Sequence, residues 1–95
     1  MKYIAYSEVF QYSMENIMKK LALYEEEVKK DPTKYPKQIS PTYNTSGRKS
    51  FALLECDDEK QLLNLALFFF PELTIEFVAI FELTKVISEA QNMKK

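Results

Sequence analysis

Residues 2–10 alternate in character. Lys2, Ile4, Tyr6 and Glu8 fall on one side, and Tyr3, Ala5, Ser7 and Val9 on the other. Period-two alternation of β-branched and aromatic types predicts a strand with two chemically different faces. The period then changes. Met14, Ile17, Leu21, Tyr24 and Val28 recur at three and four residues, one apolar stripe of an amphipathic helix. Ser13 stands where an N-cap is wanted and Glu15 suits the first turn. Glu25 with Lys29 and Glu26 with Lys30 are i,i+4 pairs in the favoured order. Asp31-Pro32 ends the helix, because a residue before proline avoids the helical region.

After a loop over residues 32–37, a second strand is expected over 38–44, interrupted by Pro41. Proline has no N–H to give a ladder, so this strand belongs at a sheet edge. Thr45-Ser46-Gly47-Arg48 reads as a hairpin turn into a third strand over 49–56. Phe51, Leu53 and Glu55 share one face of it; Ala52, Leu54 and Cys56 share the other. Asp57 is placed to cap a second helix running to Phe70, with Asp58 and Glu59 in its first turn and Pro71 beyond it. Its expected core stripe is Leu62, Leu63, Ala66, Phe69 and Phe70. Leu65, Leu67 and Phe68 are apolar too, so the helix should be buried on more than one side. A fourth strand is expected over 74–83, with Ile75, Phe77, Ala79, Phe81 and Leu83 on one face and Glu76, Val78, Ile80 and Glu82 on the other. Val86, Ile87 and Ala90 then suggest a short terminal helix over 84–93.

The order β-α-β-β-α-β predicts an α+β, ferredoxin-like sandwich: a four-stranded antiparallel sheet with two helices on one face and a short C-terminal helix as an addition. Strands one and three should be central. Ninety-five residues give one domain, 1–95, with one core. The helices should cover the face carrying Ala52, Leu54, Cys56 and Val9. The other face, with Ile4, Tyr6, Leu53, Val78 and Ile80 among its charges, is half apolar. Such a patch, beside a long hydrophobic edge strand, predicts a homodimer in which two sheets face each other around a cavity.

Composition removes more than it adds. There is no histidine, which takes away the commonest general base, the Ser-His and Cys-His pairs and the commonest transition-metal ligand. One glycine excludes glycine-rich phosphate loops, and one cysteine excludes an internal disulfide or cysteine metal cluster. A net charge of −1 gives no general pull toward nucleic acid or anionic membrane. Residues 49–56 differ from the third-strand signature of RNA-recognition domains, with Ser50 in place of glycine and Leu53 and Cys56 where aromatics are wanted. Tyr3, Tyr6, Phe10, Tyr12 and Tyr43 are therefore not read as base-stacking platforms, and no nucleic-acid partner is expected. The start lacks a long apolar region with a small-residue cleavage site, and residues 65–70 are too few to span a bilayer. No membrane partner and a cytoplasmic location are the expectations.

Candidate chemistry is confined to the open face. Antiparallel pairing should bring Glu8 near Glu76, and Lys2 between Glu55 and Glu82. Two carboxylates in one site raise one pKa and can move a proton or hold a hard cation; the plainer reading is a solvated or ion-paired rim. Tyr6 would position a substrate. The expected ligand contacts are Ile4, Tyr6, Leu53, Glu55, Val78 and Ile80, with no metal and no cofactor. Cys56, facing the helices, is read as a buried structural thiol.

The opening Met1-Lys2-Tyr3-Ile4-Ala5-Tyr6-Ser7-Glu8-Val9-Phe10, the run Phe51-Ala52-Leu53-Leu54-Glu55-Cys56-Asp57-Asp58 and the late Ile75-Glu76-Phe77 resemble a family of short bacterial and archaeal proteins catalogued as a domain of unknown function. That family resembles the dimeric α/β-barrel superfamily, which includes small monooxygenases, isomerases and ligand-sensing modules. The resemblance implies a ferredoxin-like dimer. Gln11 and Tyr12 stand where those relatives often carry Pro-Gly, and no histidine is present to serve as haem ligand or base. Three functions follow as expectations: a dimeric module binding a small, partly apolar ligand between sheets; a cofactor-independent isomerase- or monooxygenase-like enzyme using Glu8, Glu76 and Tyr6; and a structural protein–protein interaction module.

Overall fold

The computed structural model describes residues 1–9 and 14–94. Phe10, Gln11, Tyr12, the expected cap Ser13 and Lys95 lie outside the described residues. The elements run β1 (Lys2–Val9), α1 (Met14–Lys30), β2 (Lys37–Gln38), β3 (Tyr43–Ser46), β4 (Lys49–Glu55), α2 (Glu59–Phe69), β5 (Leu73–Ile80) and α3 (Leu83–Met93). All strand pairs are antiparallel. The sheet order is β2-β4-β1-β5, with β3 also on β4, so β1 and β4 are central as in a ferredoxin-like sandwich.

The expected second strand is two strands, because Pro41 breaks the ladder. The gap is bridged by one backbone and one side-chain hydrogen bond. Ile39 N–H donates to the Leu53 carbonyl at 2.9 Å, and Ser40 Oγ accepts the Leu53 N–H at 2.8 Å. A central-strand donor is thereby satisfied where the proline segment offers no regular partner. Pairing resumes at Tyr43 and slips by one residue between Asn44 and Ser46. Gly47 makes the hairpin turn at φ 65°, a left-handed conformation that glycine adopts without steric cost.

The core forms where Ala5, Leu54 and Cys56 of the sheet meet Leu62, Leu65 and Phe69 of α2. Tyr24 and Val28 of α1 and Ile75 and Phe77 of β5 pack around them. Both helices therefore cover one sheet face, the face assigned from alternation. Tyr35, from the loop after α1, is also in this core. Its ring lies 4.9 Å from Tyr24 and 6.2 Å from Phe68, both edge-on. Two polar side chains of α2 hold that loop in place: Gln61 Nε2 donates to the Thr33 carbonyl and Asn64 Nδ2 to that of Lys34. Lys20 of α1 pairs with Glu72 and donates to the Phe70 carbonyl, tying α1 to the start of β5.

Four expectations change. Asp58, not Asp57, caps α2: it has extended backbone and its carboxylate accepts the Lys60 N–H. The buried line of α2 is Leu62, Leu65 and Phe69, while Leu63 and Phe70 are exposed. A run this apolar holds several stripes of equal period, and only the neighbouring sheet selects among them. On α1 the covered line is Ile17, Tyr24 and Val28; Met14 and Leu21 lie on its exposed flank. The last strand ends at Ile80, so Phe81 and Leu83 leave the sheet and are exposed, as is Ala79.

Candidate functional site on the open sheet face

Strand register arranges the uncovered face as four rows across β4, β1 and β5. They are Glu55–Lys2–Ile80, Leu53–Ile4–Val78, Phe51–Tyr6–Glu76 and Lys49–Glu8–Thr74. The face is thus charged at both ends, aliphatic in the second row and aromatic in the third. Tyr43 extends the third row across a further strand. Its ring stacks on Phe51 at 5.3 Å, and Phe51 lies 6.4 Å from Tyr6. The three rings, inclined to one another at 29° and 47°, make a continuous aromatic platform across three strands.

A pocket of about 510 Å³ opens where the aromatic row meets the last charged row, lined by Tyr6, Glu8, Lys49, Thr74 and Glu76 among others. That volume lies within the range of small-molecule sites. All three candidate catalytic residues therefore share one pocket. Glu8 and Glu76 are diagonal neighbours, since Glu8 pairs with Thr74 and Glu76 with Tyr6. Diagonal positions on a sheet are about 7–8 Å apart. The residue directly across from Glu8 on β4 is Lys49. The two carboxylates thus share their pocket with a cation. This grouping can hydrogen-bond a polar ligand end while the aromatic row covers a flat apolar part.

The six expected ligand contacts all lie on this face but do not make one site. Tyr6 is at the pocket. Ile4, Leu53 and Val78 form the adjoining aliphatic row. Glu55 and Ile80 belong to the opposite end, where a second pocket of about 250 Å³ also takes in Lys2 and Lys85. There Lys2 sits across from Glu55, with its Nζ 4.0 Å from the Glu82 carboxylate. Lys49, Thr74 and the platform role of Tyr43 were missed. Hairpin register counted back from Gly47 places Tyr43 opposite Phe51, so that part of the signal was in the sequence.

Cys56 lies under the helices. Burial pushes its thiol pKa up, and the N-terminal ammonium works against that shift. Tyr24, between the helices, is pushed up to about 12, first by burial and then by Tyr35. Among the described residues no three His, Cys, Asp or Glu side chains come together as a metal site, and no helix is long and apolar enough to cross a membrane.

No curated protein and no solved structure matches this chain. Residues 1–94 match the model of a family described as a domain of unknown function, DUF3303, and the chain belongs to that family.

Proposed function

We propose that the protein is a homodimeric module that binds a small, partly apolar molecule on its open sheet face, in the space between two facing sheets. The observation that carries this reading is the pocket where the Tyr43–Phe51–Tyr6 platform meets Glu8, Lys49 and Glu76. A concave site lined by aromatic area beside a few convergent polar groups is the usual make-up of a small-molecule site. The half-apolar face around it supports the dimer, because a patch of that kind calls for a cover. The ferredoxin-like strand order supports kinship of the family with the dimeric α/β-barrel superfamily.

Native mass spectrometry of protein purified from its own host tests both parts of the reading. The expected spectrum shows a dimer carrying a small added mass, which Tyr6→Ala removes. A dimer whose interior is filled by its own side chains would eliminate the ligand.

A second reading rests on the same pocket. Because Glu8, Glu76 and Tyr6 line it together, a bound molecule would meet a proton acceptor and a phenol side by side. A cofactor-independent proton transfer is the reaction this set could run. On that reading Glu8→Gln abolishes turnover of the retained molecule and leaves its binding and the fold intact. Full turnover by Glu8→Gln removes Glu8 from the reaction, and no turnover by the unaltered protein removes the enzyme and leaves the binding module.

A further inference from the structure

α3 has no cover. All its described residues are exposed, including Val86 and Ile87 at 48% each, and Phe81 before it is 70% exposed. Leu83, Val86, Ile87 and Ala90 nevertheless form one apolar line, with Lys85, Ser88, Glu89 and Asn92 on the other side. The helix stands away from the body. The radius of gyration is 15.7 Å and the long axis 56 Å, against about 13 Å expected for the radius of a compact 100-residue domain. An isolated helix of this length is marginal in water, and its stability must come from packing of its apolar side.

The same chain leaves a second surface uncovered. The row Leu53–Ile4–Val78 lies on the open face, next to the end from which α3 departs. The arm is not packed on its own copy of that row: no described residue of α3 is buried, and Val78 is 41% exposed. Glu82 has extended backbone, with φ −64° and ψ 133°, and its carboxylate is paired with Lys2 at the sheet's end.

Area selects the partner. An 11-residue helix is about 16 Å long and about 10 Å across, so one side of it offers on the order of 300 Å². A stable interface needs about 800 Å² from each partner. One arm docked on an unrelated protein falls well short. In a twofold dimer each copy gives an arm and receives one, so the buried area per copy doubles before Phe81 and the sheet rims are added.

We propose that α3 is an exchange arm: residues 81–93 of each copy lie on the Leu53–Ile4–Val78 row of a second copy of this chain. This takes the dimer from the reading above and adds what holds it together. The aromatic row and its pocket stay free. The paired arms keep the two sheets apart, so the space at the pocket is a chamber rather than a packed seam.

Sedimentation equilibrium with hydrogen exchange over a dilution series tests the arm. The double variant Val86→Asp/Ile87→Asp and the receiving-row variant Val78→Asp are each expected to weaken the dimer on the order of 100-fold or more. Ser88→Asp, on the polar side, leaves it intact. Amides of residues 83–93 are expected to be protected when the protein is concentrated and to lose protection on dilution to monomer. Protection independent of concentration means the arm folds onto its own chain and overturns the proposal. So does a dimer that survives both apolar-to-Asp variants, or a protein that stays monomeric when concentrated. A dimer with protected arms and no retained small molecule sinks the ligand reading alone.

Discussion

Leu62 and Leu63 offer a matched comparison within one turn of α2. They are chemically identical and adjacent, yet Leu62 is 7% exposed and Leu63 is 56% exposed. Removing Leu62 down to alanine takes away nearly a full side chain of buried surface. That is worth about 1.5–3 kcal/mol in transfer alone. The cavity left between α2 and the Leu54–Cys56 side of β4 adds to it, and buried leucine-to-alanine changes as a class cost about 2–5 kcal/mol. Leu63 has less than half of its surface covered, so the same arithmetic gives at most about 1 kcal/mol. The higher helix propensity of alanine offsets a few tenths of that. The same gain applies at Leu62, so the two variants should differ by about 1 kcal/mol at least and by up to about 4–5. A domain of this size has only about 5–14 kcal/mol in total. Urea unfolding followed by circular dichroism at 222 nm measures the difference, with protein concentration held constant because any self-association would shift the midpoint. The expected result is a large midpoint drop for Leu62→Ala, little change for Leu63→Ala, and equal slopes. Equal losses, or the larger loss at Leu63, would mean that α2 is rotated by one residue and that the core described above is wrong.

Two further outcomes follow from buried titratable groups. With its folded pKa raised to about 12, Tyr24 should contribute a late ionisation step in an absorbance titration at 295 nm, a step that Tyr24→Phe removes. The unfolded value is about 10, so the stability linked to Tyr24 is full below pH 10 and is lost as pH rises toward 12; Tyr24→Phe should flatten that alkaline loss, and an unchanged slope would contradict the linkage. Cys56, buried with a raised pKa, should react with an aromatic disulfide reagent at pH 8 only as the core opens. Leu62→Ala should accelerate that reaction by the factor its stability loss implies, about tenfold per 1.4 kcal/mol, and a fast reaction in the unmodified protein would place the thiol at the surface.

The strands and their faces were legible because period-two alternation is a strong constraint. Once Ala5, Leu54 and Cys56 are placed on one side, the side chains of Tyr6, Leu53 and Val78 must be on the other. Pro41 announced the break at the sheet edge, since a missing donor cannot be disguised. The stripe of α2 was not legible, because residues 62–70 are apolar at every position but Asn64, and the pattern fits more than one rotation. Tyr35 was hidden for a different reason. It sits in a loop with no period at all, and its burial depends on Gln61 and Asn64, which are remote in sequence. For α3 the pattern showed that an apolar side exists. Amphipathicity records that a helix has a preferred neighbour and says nothing of which chain provides it.

The break at Pro41 reaches beyond local pairing. On that flank the sheet presents two short strands, a proline and a slipped register, which together make a poor template for an incoming strand. On the opposite flank, β5 presents eight continuous residues. Addition can therefore proceed from one flank only. Continuous strand addition needs both, so pairing of two β5 edges uses up the open flank of each copy, and strand addition by itself does not propagate into a fibre.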